Sequence, residues 1–496
     1  MELIDENIPN FFRNKVVLIT GGTGFLGKVL IETILRSTEV KVIYVLARPK
    51  DGLNVEERFK KIFNDVLFEK LRSLRPMFEK SLKYINGDCI KPQLGISYGD
   101  RLELIKNVNV VVHCAATVRF NEPLSTALQI NVQGTIEILN LAKEMANLKS
   151  FVHVSTAFVN CVELYAEERF YNDTLPIKSD QLLNIKASLG NVILDDFSTK
   201  LIGKYPNTYS FTKAITEEAV HRYGSSLPLF ILRPGIVYPI YDEPTPGWID
   251  NMQGGVAAMF CSSKGVLRMM KGSSLTPAPL VPVDFCINMI MAAAWQTAVK
   301  HREISPKLPT IYNLVPEETN TIQWGTVWKY VKMNLRHCPF SSMLWYPMFL
   351  YIKNIYFYHF LAFIYQTVPA YLTDGLLWLL GKKTRMVKIN RKMLLLADVL
   401  HYFISHDFVF DNSNTKKLWQ AMSPEDRKTY NFDMSTLNWQ DYMSMVVMGL
   451  RKYLAKETSE TLPKAKKLWI RFFLLHCTIH CLMIVGLLWV LGHPWN

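Results

Sequence analysis

The chain has 496 residues, of which 49% are hydrophobic and 20% charged, with 24 glycines and 24 prolines. This composition excludes a disordered or fibrous protein, and the length fits two or three domains. The net charge of +13 suits a membrane surface or phosphorylated small molecules. No zinc-finger spacing and no dense basic stripe is present, so neither nucleic acid nor a metal is an expected partner. The mean hydropathy of +0.08 is high for a soluble enzyme.

The first elements of the chain predict a nucleotide-binding unit. Residues 15–20 are a short β-branched apolar run typical of a buried strand, and residues 28–35 repeat apolar side chains at helical spacing. A glycine-rich turn joins them directly. Such a turn lets the backbone approach a pyrophosphate, which then lies at the helix N-terminus. The expected cofactor-binding residues of this turn are Thr20, Gly21, Gly22, Thr23, Gly24, Phe25, Leu26 and Gly27.

The second predicted strand, residues 41–46, ends at a position that distinguishes the two nicotinamide cofactors. NAD-binding sites commonly place Asp or Glu there, about 20 residues past the glycines, to bind the ribose 2′-hydroxyl. Here the position holds Arg48, with Lys50 close by. Two cations suit a 2′-phosphate, so the residues predict NADPH. An ordinary solvated basic turn is the alternative.

The next two predicted strands, residues 83–88 and 108–113, end in further candidate cofactor contacts. Ligands of an open α/β sheet lie outside the carboxyl ends of the strands, so both ends are expected to reach the same ligand. Asp88 would accept a hydrogen bond from the adenine, although the pattern also fits a plain turn residue. The expected contacts at these two ends are Asp88, Cys89, Ala115 and Ala116.

A hydroxyl pair and a tyrosine–lysine pair carry the predicted chemistry. Ser155 and Thr156 follow a predicted strand at residues 151–154, and Tyr209 and Lys213 lie one turn apart on one helical face. An ammonium beside a phenol favours the phenolate, so we expect a lowered phenol pKa and a general acid or base near neutral pH. Either hydroxyl could hydrogen-bond the substrate oxygen. The tyrosine–lysine spacing alone is weak, but together with the glycine turn it is specific.

On these motifs the chain resembles the extended short-chain dehydrogenase/reductases, and specifically the membrane-anchored, insect-type fatty acyl-CoA reductases. The resemblance rests on segments 20–27, 154–157, 209–213, 232–237 and 246–251, and beyond about residue 345 on that family's C-terminal domain. It implies a Rossmann-type doubly wound parallel sheet with a mainly helical C-terminal domain. It also implies NADPH-dependent reduction of long-chain fatty acyl-CoA to a primary alcohol and CoA, through an aldehyde.

The same resemblance implies roles for individual residues. Tyr209 would donate a proton to the substrate oxygen, assisted by Thr156 in preference to Ser155, and Lys213 would also bind the nicotinamide ribose. The strand segment expected to close over the nicotinamide consists of Pro234, Gly235, Ile236 and Val237. The alternatives are a membrane-bound reductase acting on a sterol or another lipid alcohol or ketone, and a catalytically idle Rossmann scaffold.

The apolar excess gathers in two segments of the C-terminal part. Residues 472–491 contain no Asp, Glu, Lys or Arg, and at 1.5 Å per residue they extend about 30 Å, the hydrocarbon thickness of a bilayer. A basic collar precedes them, formed by Lys464, Lys466, Lys467 and Arg471. The positive-inside rule then leaves the catalytic part in the cytosol. We expect a single-pass C-terminal anchor in the endoplasmic reticulum or, alternatively, the peroxisome; a buried core helix is the other interpretation.

The second apolar segment, residues 343–380, is interrupted by Lys353, Asn354 and Pro369. We expect two apolar helices joined by a turn, which pack as core, lie in the membrane interface or line a route for a lipid. A spanning helix is disfavoured because Lys353 and Asn354 lie within the run. The predicted domains are an NADPH-binding Rossmann domain at 1–340, a helical reductase domain at 341–460 and a transmembrane anchor at 468–491. The predicted partners are fatty acyl-CoA and the lipid bilayer.

Overall fold

The polypeptide forms two compact units that are interleaved along the chain. The structure, a computed structural model, describes residues 7–303 and 308–492. The first unit comprises the described parts of Met1–Pro246, Pro279–Thr321 and Phe408–Leu437, and the second those of Gly247–Ala278, Ile322–Asp407 and Asn438–Asn496. The linear division at residues 340 and 460 is not reproduced by these units. Sequence patterns give the order of elements, but not which distant segments return to pack together.

A parallel β-sheet forms the centre of the first unit. Across the described residues the strands are β1 Val16–Thr20, β2 Val42–Ala47, β3 Leu82–Asn86, β4 Val110–His113, β5 Ser150–Val154, β6 Tyr165–Ala166, β7 Leu229–Pro234, β8 Ile236–Tyr238, β9 Met269–Lys271, β10 Leu280–Pro282, β11 Thr310–Leu314, β12 Leu350–Ile352 and β13 Val409–Phe410. Seven of those described strands pair in the order β11-β7-β5-β4-β1-β2-β3. The three other pairs are β10 with β8, β12 with β9 and β13 with β6. The doubly wound parallel sheet expected from the sequence is confirmed.

Helices account for much of the remaining described chain. They are α1 Ile8–Phe12, α2 Phe25–Ser37, α3 Val55–Phe63, α4 Glu69–Leu74, α5 Tyr98–Asn107, α6 Leu124–Ala127, α7 Gly134–Glu144, α8 Ser179–Asp196, α9 Ser198–Ile202, α10 Thr208–Gly224, α11 Gly254–Ser263, α12 Val283–Glu303, α13 Trp324–His337, α14 Ile355–Ala362, α15 Val368–Leu379, α16 Met386–Ser405, α17 Ser413–Ala421, α18 Pro424–Thr429, α19 Trp439–Gly449 and α20 Leu462–Gly492. Helices α7 and α10 pack together, while α12 contacts α2, β5 and β7.

The sheet core explains why the predicted strands fold where they do. Every residue of β1, β4, β5 and β7 is buried, which is the pattern of a parallel strand covered on both faces. Leu18, Val111, Phe151 and Ile231 belong to one buried cluster with apolar residues of α7 and α10. The strand order reverses between β1 and β4, which are paired neighbours. In open α/β sheets ligands bind at such a switch point, outside the carboxyl ends of the strands.

The second unit is mainly helical and contains the apolar segment 343–380. That segment differs from the expected two helices joined by a turn. Residues 343–354 are non-helical and include β12, and helix then continues without interruption from α14 through a π-helical stretch, Phe363–Thr367, into α15. Pro369 lies in the first turn of α15, where its missing N–H is tolerated. The proline therefore coincides with a local change of helical pitch and does not end the helix. We call this continuous element helix 355–379.

Candidate active site

The glycine turn between β1 and α2 has the close backbone packing that a dinucleotide requires. Gly21 adopts a φ of +75°, and a Cβ on it would lie 2.7 Å from the amide nitrogen of Ala115. A Cβ on Gly27 would lie 2.3 Å from the carbonyl oxygen of Gly21. The N-cap of α2 is Gly24, which supplies no side-chain hydrogen bond to the first turn. A helix N-terminus without a side-chain cap fits a pyrophosphate.

The ends of β2 and β3 form a polar pocket of about 400 Å³ lined by Arg48, Lys50, Asp88 and Lys91, among others. One guanidinium nitrogen of Arg48 lies 3.1 Å from a carboxylate oxygen of Asp88. The side chain of Arg48 is 57% exposed, so this ion pair is weak and its cation remains available to a ligand. Lys91 was not predicted as a cofactor residue; no local sequence motif marks it, since it comes to the pocket through the turn that follows β3.

The other predicted cofactor residues fall into two groups. Ala115 and Ala116 follow β4 directly, and the amide of Ala115 donates a hydrogen bond to the hydroxyl of Thr20 at the end of β1. They therefore adjoin the glycine turn as expected. The side chain of Cys89 lies in the sheet core, and burial raises its pKa to about 12. A thiol so placed packs against the protein, so its expected cofactor contact is limited to the backbone.

The predicted tyrosine and hydroxyl side chains meet at the carboxyl end of β5. Tyr209 lies in the first turn of α10, whose N-terminus is capped by Asn207. A hydrogen bond links the Tyr209 side chain with Thr156. Ser155 is buried, and among the described residues its hydroxyl has no hydrogen-bond partner. The geometry favours Thr156 over Ser155 as the companion of Tyr209, in agreement with the preference implied by the resemblance.

The protonation states of Tyr209 and Lys213 differ from the sequence expectation. Burial raises the pKa of Tyr209 to about 12, and the hydrogen bond with Thr156 offsets only part of that effect. The ammonium of Lys213 donates a hydrogen bond of 2.7 Å to the carbonyl oxygen of Val154. Burial lowers the pKa of Lys213 to about 8, opposed by the charge of Glu217. The expected lowering of the phenol pKa by Lys213 is therefore wrong for this arrangement, because desolvation is the larger effect.

A buried ion pair that no sequence pattern predicts joins α10 to β7. Arg233 on β7 donates to the Glu217 carboxylate on α10, with 2.9 Å between its Nε and a carboxylate oxygen. It also donates to the carbonyl oxygens of Glu167 and Arg169. This network ties α10 to the strand that precedes Pro234. The spacing between Glu217 and Arg233 gives no local signal, because only the tertiary fold brings them together.

The segment 234–237 is held beside the site by backbone contacts. The amide of Gly235 donates to Leu314 on β11, and the amide of Ile236 donates to Pro279. A Cβ on Gly235 would lie 2.3 Å from the Pro279 carbonyl oxygen. The segment thus continues from the end of β7 into β8, and its contact with a nicotinamide stays a prediction.

Two further polar residues position the site from within the core. His113 at the end of β4 lies 2.7 Å from the Thr20 hydroxyl and 2.9 Å from that of Thr135. Burial lowers its pKa to about 3, so the imidazole is neutral. Asn131 lies in a π-helical turn, Leu128–Gln133, and donates to the hydroxyl of Thr212, which neighbours Lys213. His113 could have been noticed in the sequence, because it is a polar residue at the end of an otherwise apolar strand.

These features define a nicotinamide-dependent reductase of the extended short-chain dehydrogenase/reductase class. A family model described as Male sterility protein matches residues 19–290 through its NAD-binding part, and a second of the same description matches residues 365–457. The Drosophila melanogaster fatty acyl-CoA reductase wat is 40% identical over 97% of this chain and 92% of its own length. Fatty acyl-CoA reductase 1 of Gallus gallus is 38% identical over 93% of this chain and 88% of its own. The chain belongs to the fatty acyl-CoA reductase family.

Solved structures support the fold. The terminal R domain of the myxalamid PKS-NRPS pathway aligns with a TM-score of 0.57 at 18% identity, over 90% of this chain and 93% of that one. The reductase domain of a nonribosomal peptide synthetase from Mycobacterium tuberculosis gives the same TM-score at 19% identity, over 88% and 93%. At these identities the comparison concerns the fold alone.

The C-terminal helix is a candidate membrane anchor. Within Ser459–Gly486 an 18-residue window has a mean hydropathy of 1.8, and only 6% of that window is buried, so this helix is long and apolar enough to cross a bilayer. A core helix of this composition would be buried instead. In the parts of the chain that the structure describes, no cluster of three or more His, Cys, Asp or Glu side chains could hold a metal ion.

Proposed function

We propose that this protein reduces long-chain fatty acyl-CoA to a primary fatty alcohol and CoA, in two steps through an aldehyde, with NADPH as the reductant. The observation that carries the proposal is the hydrogen-bonded pair of Tyr209 and Thr156, at the carboxyl end of β5 in the sheet whose strand β1 leads into the glycine turn. Membership of the fatty acyl-CoA reductase family supports the choice of substrate.

The reacting carbonyl oxygen would be held by two donors of this chain. The hydroxyl of Thr156 and the phenol of Tyr209, which are hydrogen-bonded to each other, would both donate to the oxyanion that develops as the carbonyl is reduced. Tyr209 then gives that oxygen its proton, in both steps. The nicotinamide supplies a hydride when bound. When the thiohemiacetal formed in the first step collapses to the aldehyde, its C–S bond breaks and its hydroxyl proton returns to Tyr209. CoA departs as a thiolate, a weakly basic leaving group, without any nucleophilic cysteine.

Three other groups hold the cofactor in this proposal. The first turn of α2 binds the pyrophosphate through its amides. Lys213, fixed by Val154, binds the nicotinamide ribose with its ammonium. Segment 234–237 covers the nicotinamide ring. Arg233 and Glu217 are positioning residues, since their ion pair fixes α10 against β7.

We infer a preference for NADPH over NADH from the pocket at the ends of β2 and β3. Arg48, Lys50 and Lys91 surround it, and no local feature of β2 places a carboxylate where a ribose 2′-hydroxyl would be bound. Asp88 lies at the end of β3 and not at the end of β2, where NAD-binding sites commonly place the carboxylate that binds the ribose. Three cations around one pocket favour a phosphate monoester.

The decisive test is product analysis with purified full-length protein. NADPH and acyl-CoAs of graded chain length are supplied, and products are identified by gas chromatography. We expect fatty alcohol, two NADPH oxidised per alcohol, and loss of both with Tyr209→Phe. Oxidation of NADPH only with a sterol or other lipid ketone would favour the rival reductase. If no substrate is turned over, the remaining interpretation is a catalytically idle membrane scaffold.

We also propose that α20 anchors the protein in a membrane with the catalytic units in the cytosol, the endoplasmic reticulum being the first candidate and the peroxisome the second. The exposed apolar helix and the basic collar that precedes residue 472 support this. Deleting residues 468–496 is expected to move the protein from the membrane pellet to the supernatant. Organelle markers in the cell then separate the two compartments.

A further inference from the structure

Helix 355–379 has its apolar side turned outward. The residues that it buries form a single stripe at a spacing of four: Tyr358, Ala362, Gln366 and Ala370. Its exposed side carries large apolar side chains, among them Tyr356, Phe357, Phe360, Phe363, Leu372, Leu376 and Trp378, which are 53–83% exposed. A helix on a soluble surface shows the opposite pattern, with the large apolar residues inward. An apolar patch of this extent needs a partner.

The contacts of α20 indicate how deep in a bilayer helix 355–379 would lie. Trp345, just before β12, lies 5.6 Å from Phe472 between ring centroids, and Tyr365 stacks on His480 at 5.5 Å. His480 is nine residues past Arg471, the last charged residue of the basic collar, and therefore about 14 Å further along the helix. The head-group layer on one side of a bilayer is only about 5–7 Å thick. When α20 is inserted, Tyr365 lies below the head groups.

The charges next to helix 355–379 match the same surface. The following stretch carries exposed basic residues at Lys382, Lys383, Arg385, Lys388, Arg391 and Lys392. Between residues 355 and 395 the sequence has one acidic residue, Asp374. Its carboxylate accepts hydrogen bonds from the amides of Arg385, Met386 and Val387, so it caps α16. An apolar face flanked by exposed cations is the pattern of an element that lies in an anionic membrane surface.

We propose that helix 355–379 is a second membrane contact that lies within the cytosolic leaflet of the bilayer crossed by α20. Its outward face is immersed among acyl chains, and the basic row 382–392 lies against anionic phospholipid head groups. This contact is not a second membrane-spanning helix. Along one side the helix packs against its own unit, because Tyr358 and Ala362 form a buried cluster with Met269 and Ile352. The proposal rests on the membrane anchor argued above.

The test uses full-length protein reconstituted into phosphatidylcholine vesicles with or without phosphatidylserine. Photoreactive p-benzoylphenylalanine replaces one exposed apolar residue at a time, and lipid adducts are read by mass spectrometry. Phe360 and Leu376 report on helix 355–379, Ile484 reports on the anchor, and Tyr98, which is 77% exposed on α5, is the matched control. These positions are exposed, so the replacement does not disturb a core.

We expect lipid adducts at Phe360, Leu376 and Ile484 and none at Tyr98. Adducts at Ile484 alone would overturn the second contact and leave the anchor standing, whereas no adduct at Ile484 would remove the anchor and with it the premise. Cross-linking of Phe360 to a second copy of the chain would identify a protein interface and overturn the proposal.

The charged part of the contact has its own measurement. Changing Lys388, Arg391 and Lys392 together to Glu is expected to lower the adduct yield at Phe360 severalfold in vesicles that contain phosphatidylserine. The yield at Ile484 serves as the internal reference and stays constant. An unchanged ratio of the two yields would refute the assignment of the basic row to anionic head groups.

Discussion

Gly27→Ala tests whether the close packing of the glycine turn positions the cofactor. A Cβ on Gly27 would lie 2.3 Å from the Gly21 oxygen and 2.6 Å from the Gly22 Cα, while ordinary contacts begin at 3.4 Å. Both neighbours are backbone atoms, so α2 and the turn must separate by about 1 Å. Overpacking of this kind costs roughly 1–3 kcal/mol of folding stability. A shift of ~1 Å in a binding element costs up to about a hundredfold in rate.

We expect Gly27→Ala to lower kcat/KM for NADPH by roughly ten- to a hundredfold. The assay is the initial rate of NADPH oxidation with a saturating acyl-CoA, alongside urea unfolding. Gly99→Ala is the matched control, because Gly99 lies in the first turn of α5 and a Cβ there meets only the Ser97 hydroxyl, at 4.0 Å. If Gly27→Ala retained NADPH affinity within twofold of the wild type, the argument that this contact sets the pyrophosphate site would be wrong.

The remaining predictions concern the reacting groups and the cofactor pocket. Tyr209→Phe should lower kcat by about 10²–10⁴, the usual contribution of a positioned proton donor, with the folded state checked by circular dichroism. Thr156→Ala should reduce kcat more than Ser155→Ala, and an equal loss would argue against the hydrogen-bonded pair. Arg48→Ala should raise KM for NADPH about fivefold, since an exposed ion pair contributes roughly 1 kcal/mol, and leave KM for NADH unchanged. Burial lowers the pKa of Lys213 to about 8, so its ammonium is lost as pH rises through that value. We expect kcat/KM to fall above pH 8, and Lys213→Arg to retain its rate at higher pH, even if lower overall. Because the unfolded chain binds the Lys213 proton up to its ordinary pKa of 10.5, this group makes stability rise with pH between about 8 and 10.5.

The fold class could be read from the sequence because local patterns determine it. The strand ending at Thr20 and the helix that contains Gly27 were predicted within two or three residues of their observed bounds, since buried parallel strands are nearly continuous apolar runs. Contacts between residues that are distant in the sequence cannot be predicted from local patterns. Arg233 and Glu217 come together only when β7 and α10 pack, and Lys91 reaches the pocket only through a turn.

The segment 343–380 shows a different limit of sequence patterns. Its composition predicted apolar helices, but hydropathy does not show which face of a helix is buried. The stripe of Tyr358, Ala362, Gln366 and Ala370 contains two small residues and two polar ones, so a periodicity search for large apolar residues selects the exposed side instead. A proline in an apolar run predicts a break because it usually ends a helix, but Pro369 lies in the first turn of α15, directly after a π-helical stretch.

The raised pKa of Tyr209 determines which protonation state the phenol has at neutral pH. With a pKa of about 12, roughly one molecule in 100,000 carries a phenolate at pH 7, so Tyr209 is poorly suited to remove a proton from an alcohol. Reduction makes the opposite demand, because the residue must arrive with its proton and release it to a developing oxyanion, which is far more basic than the carbonyl. The Thr156 hydrogen bond stabilises the phenolate left behind. A buried, protonated phenol hydrogen-bonded with Thr156 is therefore the form of Tyr209 that carbonyl reduction requires.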